Sequence, residues 1–147
     1  MKKLLTILCL VLLSSYSYSK EVLLDQLVER DGMYYEVNSN TPFTGSVEDY
    51  YDNGQLRMRS NVKNGVRQGL VEEFYENGQL EFKGNLKNGK MNGLWEGFHE
   101  NGWLEYKSHY KNGEMDGLQQ KFHENGTFNM MCLKNGKEVD GWSYCED

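Results

Sequence analysis

The chain has 147 residues, with 16 Lys and Arg against 22 Asp and Glu and a formal net charge of −6. That length accommodates one domain or one repeat array, and the acidic balance excludes wholesale phosphate binding, which needs clustered Lys and Arg. A single Pro and 13% aromatic residues exclude a Pro-rich linker protein and a disordered chain.

Met1-Lys2-Lys3 is a basic start, Leu4 to Leu13 is apolar except for Thr6, and Ser17-Tyr18-Ser19 places small residues at alternate positions. This pattern predicts a secretory signal peptide over residues 1–19, with Lys20 as the mature N-terminus. The apolar run falls well short of the ~20 residues that span a bilayer. Cleavage leaves 14 Lys and Arg against 22 Asp and Glu, a charge of −8. Cys9 departs with the leader. Cys132 and Cys145 remain as an even pair in an oxidising compartment, and are read as a disulfide.

Residues 20–44 form a lead-in. Residues 20–26 suit either a helix or a strand. Leu27 to Arg30, Asp31-Gly32 and Met33 to Val37 read as a hairpin. Thr41-Pro42-Phe43-Thr44 then enters a repeat array over 45–147. Asn-Gly recurs at Asn53, Asn64, Asn77, Asn88, Asn101, Asn112, Asn125 and Asn135, and Gly45, Gly69, Gly93, Gly117 and Gly141 are spaced by 24. The units are 45–68, 69–92, 93–116 and 117–140, with a stub at 141–147. A fixed period of this size marks a repeat architecture.

Each unit holds two runs between Asn-Gly turns. Leu56-Met58-Ser60-Val62, Leu80-Phe82-Gly84-Leu86 and Leu104-Tyr106-Ser108-Tyr110 alternate with polar residues, the period of a β-strand with one wet face. The expected fold is all-β: a single-layer antiparallel meander of tandem 24-residue hairpins, about eleven strands in all. Matching the faces across Asn101-Gly102 calls for a three-residue loop, Glu100-Asn101-Gly102, with Phe98 opposite Leu104 and Gly102 left-handed. The connections from Lys63, Lys87 and Lys111 to the 24-spaced glycines are expected to be longer. Leu70, Phe74, Leu94, Phe98, Leu118 and Phe122 are assigned to the apolar face.

The repeated Gly-Leu-x-x-x-Phe-x-Glu-Asn-Gly-x-Leu…Lys-Asn-Gly-x-x-x-Gly resembles the variant MORN repeat, over roughly residues 28–145. The lead-in Asp31-Gly32-Met33-Tyr34-Tyr35 and Thr41-Pro42-Phe43-Thr44-Gly45 is similar to the segment preceding such repeats in exported bacterial members. The resemblance implies binding of protein or lipid, a periplasmic or extracellular location, and no catalytic motif to carry over. Some bacterial relatives bear a toxin–antitoxin antitoxin label. Unit four departs from the pattern, with one residue fewer before Asn135, which predicts a register change near Cys132-Leu133.

No phosphate loop, nucleophile elbow or HExxH run is present, so no enzyme and no cofactor are expected. His99 and His123 share a column about 9–10 Å apart, too far for one ion, so no metal site is expected. Asp52, Glu76, Glu100 and Glu124 precede the short turns on one rim; Lys63, Lys87, Lys111 and Lys134 precede the others on the opposite rim. Val47, Val71 and Trp95 are assigned to one column of the polar face. Tyr51, Tyr75, Trp95, His99 and Trp103 are the candidate binding row, since aromatic residues are enriched at interfaces. A lone sheet cannot bury its own apolar face: it must curl, take residues 20–37 as cover, dimerise or dock on a partner. The function expected is therefore a non-catalytic interaction module with a protein partner, or a homodimer through the apolar face. Rival expectations are an immunity-type protein that neutralises an envelope toxin, and a surface binder of glycan or lipid. The acidic charge disfavours anionic membrane.

Overall fold

A computed structural model describes residues 20–140 and 143–145. The predicted signal peptide lies outside the described residues. The strands are β1 (Glu21–Leu23), β2 (Leu27–Arg30), β3 (Met33–Glu36), β4 (Gly45–Tyr50), β5 (Leu56–Lys63), β6 (Val66–Phe74), β7 (Leu80–Lys87), β8 (Lys90–Met91), β9 (Gly93–Phe98), β10 (Leu104–Lys111), β11 (Glu114–Phe122), β12 (Phe128–Lys134) and β13 (Lys137–Glu138). Eleven of them make one sheet in the order β1-β4-β5-β6-β7-β9-β10-β11-β12-β13, with β8 against β7; β2 and β3 pair separately. The expected all-β meander is what forms, and every pairing from β4 onward is antiparallel. The exception is β1, which joins β4 in parallel. Residues 20–26, open to either reading, supply both that short strand and a 3-10 turn at Leu24–Gln26.

Two kinds of Asn-Gly turn alternate. In the short turns the predicted three-residue loop is present: His99 N–H donates to Trp103 O, Gly102 N–H donates to His99 O, and Gly102 has φ 82°. The asparagine side chain completes it, since Asn101 Oδ1 accepts the Trp103 N–H at 2.9 Å. The other connections correct the expectation of length. Asn64, Asn88 and Asn112 have φ of 50–55° and the following glycines φ of 74–92°. Two successive left-handed residues make the two-residue type I′ hairpin, and Lys63 accordingly pairs directly with Val66. The surplus residues fall further along, in irregularities beside Gly69 and Gly117 whose φ values are 83° and 114°.

A second bulge corrects the assignment of faces. Phe98 pairs with Leu104, but Gly97 pairs with Tyr106, so Glu105 is an extra residue. Arg57 and Glu81 are extra in the same way. One inserted residue reverses every later side chain on that strand relative to its partner. Val47 therefore lies opposite Ser60, Val71 opposite Ser60 and Gly84, and Trp95 opposite Ser108. These residues belong to the apolar, inner face and are buried, at 1%, 3% and 5% exposure. Leu70, Phe74, Leu94, Phe98, Leu118 and Phe122, placed inside by the simple alternation, share the outer face with Glu72, Glu96 and Gln120; Leu70 and Leu94 are exposed there, and the Phe98 ring centroid stands 5.9 Å from Lys83 Nζ. Unit four has no such insertion: Phe122–Phe128, Lys121–Asn129 and Gln120–Met130 run without a break. The missing residue noted in its sequence is the missing bulge.

The lead-in covers one end of the inner face. Val22, Leu27 and Phe43 form a buried cluster with Val47 and Val62, and Leu24 and Tyr34 pack against it. Main-chain bonds fix it there: Tyr34 N–H donates to Gly65 O at 2.8 Å, and Gly65 N–H to Phe43 O at 2.7 Å. At the other end a disulfide joins Cys132 to Cys145, with Cα atoms 6.0 Å apart, inside the range such a bond needs. Cys145 sits in a turn. Tyr144 beside it donates to Asp116 at 2.8 Å, and Lys134 stands 4.8 Å from the Tyr144 ring centroid.

Candidate interaction surfaces

Three surfaces follow from this register. The first is the inner face beyond the lead-in. A Cβ at Gly84 would stand 2.2 Å from the Trp95 ring, and one at Gly97 would stand 2.0 Å from the Tyr106 ring. Glycine at these two positions lets each ring lie across the neighbouring strand. Trp95 also faces Phe82 and Tyr110, at centroid distances of 5.8 and 6.2 Å. Past this aromatic row the face opens into an apolar groove of about 310 Å³, lined by Tyr106, Ser108, Tyr110, Met115, Gln119 and Met131 among others. Burial pushes the Tyr106 and Tyr110 phenols above the ordinary tyrosine pKa. Two of the groove's lining residues, Ser108 and Gln119, are buried and polar. Gln119 Nε2 donates to the His109 carbonyl at 3.1 Å, while its buried Oε1 has no partner. A buried acceptor left unpaired is costly, and Gln119 is one of the groove residues.

The second surface is the outer face. Glu48, Arg59, Glu72, Lys83, Glu96 and Lys107 occupy one row across six consecutive strands. Their signs alternate. Arg59 lies 3.0 Å from Glu48 and 3.6 Å from Glu72, and Glu96 is held between Lys83 at 3.1 Å and Lys107 at 3.2 Å. Hydrogen bonds hold two of these carboxyls below the usual range, chiefly Tyr50 for Glu48 and Lys83 for Glu96. The row ends at uncharged Gln120 and Met130.

The third is the short-turn rim. Tyr51 OH donates to Phe74 O at 2.7 Å and Tyr75 OH to Phe98 O at 2.8 Å, while Asn53 and Asn77 donate to Glu76 O and Glu100 O, both at 3.1 Å. These bonds tie each short turn to the next. The series stops at the third junction, where His99 replaces tyrosine and Asn101 makes no corresponding bond to Glu124 among the described residues. Trp103, in the column of Gln55 and Gln79, is 63% exposed. The proposed row is thus divided: Tyr51 and Tyr75 spend their hydroxyls on the fold, Trp95 is buried in the inner face, and His99 and Trp103 pair across one turn at the rim. Sequence reasoning missed the groove residues Tyr110, Met115, Gln119 and Met131 as a group, because the inserted residues that set the register look like ordinary strand residues.

Among the described residues no group of three or more His, Cys, Asp and Glu is gathered as a metal site requires, and no helix is long and apolar enough to cross a membrane. What these surfaces define is a β-repeat array built on hairpins of constant period. Residues 43–64, 67–88 and 91–112 match the MORN repeat variant, so residues 43–112 are three tandem variant MORN repeats, modules that generally bind protein or lipid. The fourth unit, without its bulge, falls outside the matched segments. No curated protein and no solved structure matches the chain significantly.

Proposed function

We propose that the mature chain is an exported, non-catalytic protein-interaction module whose principal site is the inner-face groove. The observation that carries this reading is an asymmetry of one sheet face. Residues 20–44 cover it over the first repeat, whereas over β10 to β12 the same face is an open apolar groove with two buried polar residues, Ser108 and Gln119, in its lining. An apolar cleft with a few convergent polar groups is the usual form of a binding site. An apolar side chain of a partner would fill it, against Tyr106, Tyr110, Met115 and Met131. Exposed Trp103, with His99 across the turn, supplies a second contact at the rim. The leader pattern of residues 1–19 and a disulfide suited to an oxidising compartment support export. Bacterial neutralisation of an envelope toxin is a special case of this reading, with the toxin as the protein bound.

The test is capture from envelope extract by the mature chain and by Met131→Asp, which places a charge in the groove. Met131 is exposed, so the variant should fold. Loss of the captured protein with Met131→Asp supports the groove; equal capture by both chains refutes it. Intact mass of the envelope form tests export, which predicts Lys20 as the first residue.

A further inference from the structure

The two ends of the sheet are finished differently. At one end β1 is three residues long and passes straight into a 3-10 turn. At the other, β13 pairs only with Leu133 and Lys134 of β12, and Val139 N–H takes the Cys132 carbonyl. Among the described residues nothing pairs with the outer edge of β12 from Phe128 to Met131. Such an edge presents unpaired N–H and C=O groups, and natural sheets protect it with charges, Pro or bulges. Here the stretch Phe128-Asn129-Met130-Met131 has none of these. Its three apolar side chains are 53%, 44% and 44% exposed, and it belongs to the one unit whose hairpin has no bulge.

We propose that this edge is a self-association seam, which takes β12 of a second copy of the chain in antiparallel register. Charge selects both the partner and the direction. Each copy has one rim of short turns marked by Asp52, Glu76, Glu100 and Glu124 and an opposite rim marked by Lys63, Lys87, Lys111 and Lys134. A parallel addition would set like rims side by side. An antiparallel addition about a two-fold axis sets the acidic rim of each copy against the basic rim of the other, and the seam itself contains no charge to repel. A two-fold axis at Asn129 places Phe128 against Met130 of the second copy and keeps matching faces together. The short β13 stops where the incoming turn begins. Such an interface is isologous and closes as a dimer, and the sheets run on as one, with both grooves on the same side.

Sedimentation equilibrium of the mature chain, disulfide intact, tests the seam. The expected result is a monomer–dimer equilibrium that weakens with added salt, because the rims attract through solvent. Met130→Lys and Phe128→Lys put a charge on the seam at exposed positions and should each raise the dimer dissociation constant at least about tenfold, without unfolding the chain. Glu124→Lys should weaken the dimer as well. A chain that remains monomeric up to about 1 mM overturns the proposal. So does a dimer that is indifferent to Met130→Lys and Phe128→Lys but is broken by Met115→Lys, which would place the contact on the inner face. None of these outcomes depends on capture of another protein by the groove.

Discussion

The Tyr75 hydroxyl donates to the main-chain carbonyl of Phe98, 2.8 Å away and one repeat further along the sheet. Tyr51 does the same to Phe74. Repeats are thus joined at the rim by side chains as well as by the strand ladder. Tyr75→Phe removes the hydroxyl and little else, and should cost about 1 kcal/mol in urea unfolding. His99→Tyr should regain a similar amount by extending the series to Phe122 O. A Tyr75→Phe midpoint equal to that of the unmodified chain would show that the bond contributes nothing net.

Gly102 closes the third short turn with φ 82°. A β-branched residue adopts that conformation only under strain, so Gly102→Val should destabilise by about 1–3 kcal/mol. There is open space around the equivalent Gly126 and only the tip of Gln79 near Gly102, so the loss reports backbone conformation and not a steric clash. A melting temperature unchanged by Gly102→Val would mean that the turn relaxes into another form.

Glu73 pairs with Met58 and Phe82 on the inner face. Burial first, then the neighbouring Glu81, holds its carboxyl above the ordinary glutamate value of 4.5. A carboxyl with a raised folded pKa binds its proton more tightly in the folded chain. It therefore opposes folding at pH above its folded pKa, and that cost disappears as pH falls to the unfolded value. Glu96 has the opposite sign: its pKa is lowered, chiefly by Lys83, so its contribution is present above the unfolded value and is lost as pH falls through the folded one. Glu73→Gln should therefore stabilise the chain at pH 7 and have no effect at pH 3, whereas Glu96→Gln should destabilise it at pH 7. Thermal melts across pH 3 to 8 separate the two; equal effects of opposite variants at all pH values would discount both titrations.

The period, the strand class and the short-turn geometry were legible because each has a local chemical cause: Asn and Gly tolerate left-handed backbone, and alternation follows the pleat. The assignment of faces was not legible. Arg57, Glu81 and Glu105 look like ordinary outward residues, yet each is an inserted residue that reverses the side chains beyond it. A trace of this was present in the small-against-large pairs. Gly84 and Gly97 waste strand positions unless a ring from the next strand lies over them, as Trp95 and Tyr106 do. The 24-spaced Gly69, Gly93 and Gly117 marked the period, but their left-handed backbone, all with φ of 83° or more, was the sign that the basic-rim connections carry irregularities too. Only the pairing register reveals the groove, since Tyr110, Met115, Gln119 and Met131 come from three strands.

Trp103 tests whether the rim takes part in binding. In the two preceding repeats its column holds Gln55 and Gln79, whose Oε1 atoms stand 3.2 and 3.1 Å from where a Cβ would sit on Gly78 and Gly102. Those glutamines cover the next turn. Trp103 makes no equivalent approach to Gly126, which has open space around it, and is 63% exposed. A large apolar side chain so placed contributes little to the fold, so Trp103→Gln, a residue this column already accepts, should leave stability within about 0.5 kcal/mol. If the rim is the second contact of the binding module, the same change should weaken partner binding by ~2 kcal/mol or more, the mark of a central aromatic anchor. Titration of the captured partner against both chains, beside thermal melts, separates the outcomes. A lost melting temperature would make Trp103 a packing residue. Unchanged affinity together with an unchanged melt would remove the rim from the site and leave the groove of Tyr106, Tyr110, Met115 and Met131 as the whole of it.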